Sequence, residues 1–272
     1  MFRIPITELE EKSFKLRRQL IDLLYQTKSG HLDTSLSLVE VYLSIVYSDS
    51  FKFDPKDGTL PDRDVVFLSE GHACPIQYLI NADLGYYDVD EVFQGMRKPF
   101  TPFQGHTQRN LKYGFENSNG SLGIGLWQAY GYAKESPGNV FCIAGDGEFQ
   151  EPISFGIIQA PLILELPKNY HLIVNNNSLA QDSYLELGPL GEVAKMYGWN
   201  VKYVDGHSFA DLGSVLKECV DSTTGSLIIC KTVKGKGGAA EFEGKLGMHG
   251  RPPKNEEEYK TYIEGLESSK RS

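Results

Sequence analysis

The chain has 272 residues, 40% of them hydrophobic, and a formal net charge of −9; that is enough apolar material for one large α/β domain or two small ones, and the acidic balance argues against nucleic acid as a general partner. Cys74, Cys142, Cys219 and Cys230 lie far apart and form no CxxC, so neither a zinc site nor a compact disulfide framework is suggested, and a reducing, cytoplasmic compartment is expected. No stretch approaches the roughly 18 apolar residues of a membrane span, and the first residues lack the apolar centre of a signal peptide, so a soluble protein without a membrane partner is expected.

Thr7-Glu8-Leu9-Glu10 has the form of a capping box, and Leu16, Leu20, Leu23 and Leu24 follow at helical spacing, predicting a first helix to about Gln26. It ends near Lys28-Ser29-Gly30-His31. Ser37 with Glu40 repeats the capping signature ahead of Val39, Leu43 and Val46, with a start a few residues earlier left open. Residues 51–63, charged and containing Pro and Gly, read as a loop. Val65-Val66-Phe67-Leu68 is a short buried strand, followed by Ser69-Glu70-Gly71-His72 and a helix through Leu79. Over 86–119 the periodicity is weak, and Pro99, Pro102, Gly105 and Gly114 predict a long irregular connection, a feature usually functional or disordered in compact domains. Gly120-Ser121-Leu122-Gly123-Ile124-Gly125 opens a helix to about Ala133, where free N–H groups suit an anion or a polar ring.

The stretch 140–182 carries the chemistry. An apolar run ends in Gly145-Asp146-Gly147, a helix-length crossover follows, and a second apolar run from Tyr170 ends in Asn175-Asn176-Asn177. Two buried strands thus deliver polar groups at their C-terminal ends, where a doubly wound sheet binds ligands. Asp146 offers a hard carboxylate, Asn177 an amide carbonyl, and the flanking glycines let backbone N–H groups come close to a phosphate. Oxygen ligands of this kind suit Mg²⁺ with a diphosphate. Either tripeptide alone is equally an ordinary turn or a polar loop; paired at this spacing they favour a metal-diphosphate site.

Beyond it, 190–197 reads as a helix, 201–204 as a strand, 209–220 as a helix and 227–230 as a strand. The alternation predicts an α/β fold: a doubly wound, mostly parallel sheet with helices on both faces. Lys231-Thr232-Val233-Lys234-Gly235-Lys236-Gly237 follows the last strand, and from Glu256-Glu257-Glu258 onward the chain reads as a charged surface helix. The expected division is a main domain over 1–250 and a charged helical tail over 251–272.

Ser29-Gly30-His31, Ser69-Glu70-Gly71-His72-Ala73, Gly105-His106, Gly120-Ser121-Leu122-Gly123, the Asp146 to Asn177 signature, Tyr197-Gly198-Trp199, Val204-Asp205-Gly206-His207, the Lys231 to Gly237 run and His249-Gly250 occur in this order. In order and spacing they resemble the N-terminal, diphosphate-binding half of transketolases, over residues 28–253. The resemblance implies that Asp146, Asn177 and the backbone carbonyl of Leu179 hold Mg²⁺ or Ca²⁺ bridging to thiamine diphosphate. It implies that His72, Gly147 and Gly120-Ser121-Leu122 contact the cofactor, with Asn177 and His249 beside it. His31, His106 and His249 would line the substrate channel as catalytic residues. Imidazole titrates near neutrality, so it can donate to a developing alkoxide and later accept the proton. Of the other two histidines, His171 reads as a strand residue and His207 as loop structure. Glu151 matches a family glutamate that couples paired active sites, an interface role; a solvated carboxylate at a helix start is the other reading.

In the family a glutamate from a pyrimidine-binding domain activates the cofactor, and this chain does not reach that domain. The resemblance therefore implies one subunit of a split enzyme, an α₂β₂ heterotetramer with a separate pyrimidine-domain subunit, acting on small sugar or sugar phosphate substrates and inactive alone. The chain departs from the family pattern at Thr107-Gln108 after Gly105-His106, at Phe155-Gly156 after the signature, and at Pro161 in the crossover helix, where proline should kink or end it. The Asp146 to Asn177 spacing is one residue longer than expected. These departures suggest a specialised enzyme. Two other readings stay open: another thiamine enzyme component, such as the α subunit of a 2-oxo acid dehydrogenase or a deoxyxylulose-phosphate synthase, and a non-catalytic cofactor-binding or scaffolding subunit.

Overall fold

The computed structural model describes residues 2–270. Met1, Arg271 and Ser272, the outer limits of the two expected divisions, lie outside the described residues. The strands are β1 (Val65–Leu68), β2 (Val140–Gly145), β3 (Tyr170–Asn176), β4 (Asn200–Asp205) and β5 (Ser226–Lys231), in the order β1-β2-β3-β5-β4. All four pairings are parallel.

Both faces of the sheet are covered, which is why its central strands are nearly unbroken apolar runs. On one face Val66, Leu68, Phe141, Ile143, Ile173, Ile228 and Cys230 pack against α1 (Ile6–Thr27), α2 (Leu32–Ser37), α3 (Val39–Val46), α4 (Cys74–Asp83) and α9 (Phe209–Val220). On the other, Val65, Phe67, Cys142, Ala144, Leu172, Val174, Leu227 and Ile229 meet α6 (Ile124–Glu135), α7 (Pro152–Gln159) and α8 (Leu190–Met196). The alternation of neighbouring residues between two cores is the period of a strand expressed as packing. The doubly wound architecture expected from the sequence is present, with a sheet that is wholly parallel.

Several local expectations are corrected. The first helix opens at Ile6 behind Pro5, with no side-chain cap, so Thr7 to Glu10 lie inside its first turn; proline presets the entry angle by itself. Ser37 closes α2, its hydroxyl donating to the Thr34 carbonyl at 2.8 Å. Glu40 is buried and held by Arg17 through bonds of 2.6 and 2.8 Å, so the apparent capping box is half of an ion pair. The connection over 86–119 contains a helix, α5 (Val89–Gly95), whose Asp88 accepts from the Asp90 N–H while Glu91 returns to the Asp88 N–H. Its D-x-x-E signature was present in the sequence. The rest of that connection is tied down by a bidentate Arg63–Glu116 pair and by Asn117, whose amide bonds both the N–H and the carbonyl of Leu68 on edge strand β1. Helix α6 begins at Ile124, not Gly120. Pro161 falls in a 3-10 turn after α7 and ends that helix, as its geometry demands.

The C-terminal segment forms α10 (Glu256–Ser269), capped by Asn255, with Tyr262 and Leu266 buried in the main core and Tyr259 stacked on Tyr25 of α1 at 4.4 Å. Among the described residues no helix is long and apolar enough to cross a membrane.

Candidate active site

Register places the site. Leu68 pairs with Ile143, Gly145 with Asn175, and Asn176 with Lys231, so the C-terminal ends of β1, β2, β3 and β5 finish at one edge. Asp146, 3% exposed, leaves β2 there. Its Oδ2 accepts from the N–H groups of Asn177 at 2.9 Å and Ser178 at 2.7 Å, and its Oδ1 from Gly147 at 2.8 Å. The two ends of the signature are therefore joined directly. Asn177 Oδ1 in turn accepts from the Leu179 N–H at 3.1 Å. The glycine N–H groups expected to be free for a phosphate are engaged, Gly147 by Asp146 and Gly145 by Glu148 Oε2 at 3.0 Å. A Cβ on Gly147 would meet nothing within 4 Å, so its Cα faces open space.

A cavity of about 220 Å³ opens at this edge, and Asp146, Gly147, Asn177, Leu179, His72, Leu122 and His249 all line it. The ring centres of His31, His72 and His249 stand 4.8, 4.9 and 5.4 Å apart, forming one cluster. His106 and Gly120 lie one step outward: a Cβ on Gly120 would sit 3.6 Å from the His106 ring. Ser121 is exposed and off the cavity wall. Glu151 is also exposed, at the N-terminus of α7 and outside the cavity. His171 is buried within β3 beside Asn139, and His207 accepts from the Val233 N–H, so neither reaches this cluster.

Burial pushes His31 down to about 4, helped by the charges of His249, Arg97, His106 and Lys234. His72 is driven well below its ordinary value by burial and by His31 and His249. His249 is lowered by burial and then by Lys234, and His106 by burial and then by Arg97. All four shifts are in the direction that keeps the rings neutral at pH 7. The cluster thus offers uncharged imidazoles that form hydrogen bonds, instead of rings poised at their titration point.

Residues without an assigned role in the sequence complete the wall. Glu70, 1% exposed, accepts from Asn175 Nδ2 at 3.2 Å, and Asn175 Oδ1 accepts from the Thr232 hydroxyl at 2.6 Å. Burial, then Glu148 and Asp146, raise the Glu70 carboxyl well above the usual range. Glu148 accepts from the Ser69 hydroxyl at 2.7 Å and from the Gly123 N–H at 2.8 Å, which ties the start of α6 to the end of β2. Lys234 donates to the Leu179 carbonyl at 3.1 Å, and the buried Thr34 hydroxyl on the cavity wall has no partner. Glu148 was visible as the fourth letter of Gly-Asp-Gly-Glu, and Lys234 as a cation just past the last strand.

The residues present fit a cation-bridged diphosphate. Asp146, the Asn177 amide oxygen and the Leu179 carbonyl are hard oxygen donors, while the unpartnered Thr34 hydroxyl can donate to an anion and the Lys234 ammonium brings a positive charge to the cavity wall. Burial raises the Asp146 carboxyl against three N–H groups that lower it, a cost that a bound cation would relieve. Among the described residues no cluster of three or more His, Cys, Asp or Glu is placed to hold a metal ion, in keeping with a donor set that has one carboxylate.

Residues 10–267 match the family model described as "Transketolase, thiamine diphosphate binding domain". The chain is 30% identical over 254 residues to the 6-deoxy-6-sulfo-D-fructose transketolase subunit SqwG of Clostridium sp. (strain MSTE9), covering 89% of this chain and 90% of that protein. It is 30% identical to Homo sapiens transketolase, covering 91% of this chain and 40% of that protein. The crystal structure of Campylobacter jejuni transketolase superposes with a TM-score of 0.86 at 28% identity, covering 97% of this chain and 43% of that one. The chain thus spans about two fifths of the transketolases and nearly all of the SqwG subunit. It belongs to the transketolase family, as a thiamine diphosphate binding domain of the N-terminal type.

Proposed function

We propose that this chain is the cofactor-anchoring subunit of a split, two-chain transketolase that moves a two-carbon ketol unit from a ketose or ketose phosphate to an aldose acceptor. The observation that carries the reading is the direct Asp146 to Asn177 junction beneath a cluster of neutral histidines. Asp146, Asn177 and the Leu179 carbonyl would hold Mg²⁺ or Ca²⁺, and His72, Gly147, Leu122 and His249 would border thiamine diphosphate, with Gly120 and Ser121 at its outer edge. When bound, the cofactor supplies the carbon nucleophile and the electron sink. The protein's own share is positioning. His31, His106 and His249 hydrogen-bond the hydroxyl and carbonyl oxygens of the ketose, including the oxygen at the bond being cleaved. Burial strengthens those bonds.

The split arrangement is supported by the likeness to a relative named as a subunit, of which this chain covers 90%. An α₂β₂ assembly, with a partner chain that supplies the pyrimidine-binding domain and Glu151 near the contact, follows from that reading. Four free cysteines, all buried, support a reducing, cytoplasmic setting. The divisions at 1–250 and 251–272 are kept as the proposed domain limits, with α10 docked on the first. Ketol transfer is assayed with and without the partner chain, using a donor panel that includes phosphorylated and sulfonated ketoses. Calorimetric titration with thiamine diphosphate and Mg²⁺ in the presence of the partner should show binding; absence of binding would sink the enzyme reading and favour a scaffolding subunit.

A further inference from the structure

Lys234 is 6% exposed and sits at the heart of the site. Its backbone is pinned on both flanks. The Val233 N–H donates to His207 Nε2 at 2.9 Å, and the Gly235 N–H donates to the Asp33 carbonyl at 2.9 Å. A backbone N–H can only donate, so Nε2 of His207 is bare and its Nδ1 carries the proton toward Glu40 Oε2, 3.0 Å away. Arg17 clamps Glu40 with two further bonds. Four separate parts of the chain thus hold the Lys234 loop in one place.

The Lys234 ammonium meets three groups. It donates to the Leu179 carbonyl at 3.1 Å, lies 3.7 Å from Asp33 Oδ2, and stands 3.0 Å from His249 Nδ1. Asp33 is buried, and the Lys234 ammonium is the cation paired with its carboxylate. An ammonium has three donors and no lone pair, so its contact with Nδ1 is a donation into the ring. The proton of a neutral His249 must then sit on Nε2.

We propose that Lys234 is a positioning residue for His249: pinned by its loop and held by Asp33, it fixes the imidazole as the Nε2–H tautomer, so that the ring meets a bound ketose as a hydrogen-bond donor and not as a base. The functional half rests on the proposed placement of His249 over the substrate; the tautomer does not.

The test is ¹⁵N imidazole NMR of the full chain without cofactor or metal. His249 is one of six histidines, and its signals are identified by their loss in His249→Gln. Nδ1 should resonate as a bare, pyridine-type nitrogen and Nε2 as a protonated, pyrrole-type one. A pyrrole-type Nδ1 overturns the proposal whatever the enzyme does. Lys234→Met is combined with Asp33→Asn, so that no buried carboxylate is left unpaired, and both His249 nitrogens should move to the averaged position of exchanging tautomers. With the partner subunit present, the same double variant should lose roughly 100-fold in kcat, the scale for removing one oriented donor at a reacting oxygen, with a smaller change in acceptor KM. Averaged tautomers with unchanged kcat overturn the functional half. Failure of the wild-type pair to transfer a ketol unit counts against the proposed function and is distinguishable, because the tautomer is read without turnover.

Discussion

Asp146 is asked to do two things at once. As a ligand it would bind the cation; as an acceptor it already gathers three backbone N–H groups that tie β2 to the loop after β3. Asp146→Ala is therefore expected to abolish metal-dependent retention of thiamine diphosphate, and also to lower stability in the presence of a chelator by about 2 kcal/mol or more, since buried donors are left unpaired. Calorimetry measures the first effect and urea melts in chelator the second; a melt unchanged in chelator would show the anchoring role to be wrong. His171 has a different consequence. Burial alone holds it down to about 3, from 6.5 in an unfolded chain. Below pH 6.5 the unfolded state takes up a proton that the folded state refuses, so stability falls as pH drops from about 6.5 towards 3, by about 1.4 kcal/mol per unit. His31, at about 4, adds a slope of the same sign, whereas the raised Glu70 opposes it. The difference between wild type and His171→Leu in melts from pH 7 to 5 isolates the His171 contribution, and the variant should show the shallower acid slope.

At the scale of elements, the long connection between β1 and β2 positions His106. A Cβ on Gly71 would lie 2.4 Å from Asn119 Oδ1 and 2.7 Å from the His106 ring, closer than van der Waals contact permits. Gly71→Ala is expected to displace both, to lower stability by about 1–3 kcal/mol in urea melts and to reduce ketol transfer by the reconstituted pair; an unaltered kcat/KM would argue that His106 needs no fixed position. Helix α5 in the same connection depends on its cap, and Asp88→Ala should cost about 1 kcal/mol in urea unfolding. The buried Arg17–Glu40 pair behaves differently from either. Arg17→Met leaves an uncompensated carboxylate beside His207, and a loss of about 3–5 kcal/mol is expected, measurable by the same urea melts.

For the whole molecule, the wholly parallel sheet brings four strand ends to one edge, and everything that edge offers is an anchor: oxygen donors, an ammonium and neutral imidazoles. On the two-chain reading proposed above, the carboxylate that activates the cofactor comes from the partner's pyrimidine-binding domain. The expected outcome is that the purified chain alone performs no ketol transfer, and that adding the pyrimidine-domain subunit restores it. Full activity from this chain alone would overturn the two-chain reading.

The fold was legible because burial on both faces of a parallel sheet writes itself into composition, as in Val65 to Leu68 and Val140 to Gly145, and because strand ends carry their polar residues in sequence, as with Asp146 and Asn177. Even α5 was written, in Asp88 and Glu91. Other features were not legible in this way. Glu40 looked like a cap and became an ion pair, the N–H groups beside Asp146 looked free and were taken by carboxylates, and Lys234, Asp33 and Thr34 gained their places only when separate elements converged. A local pattern states what a residue prefers for its own backbone, so sequence determined the strands, most of the helices and the two ends of the signature. Which buried polar group answers which depends on side chains arriving from distant elements, where an unmet donor or charge costs more than any local preference, and that only the tertiary structure decided.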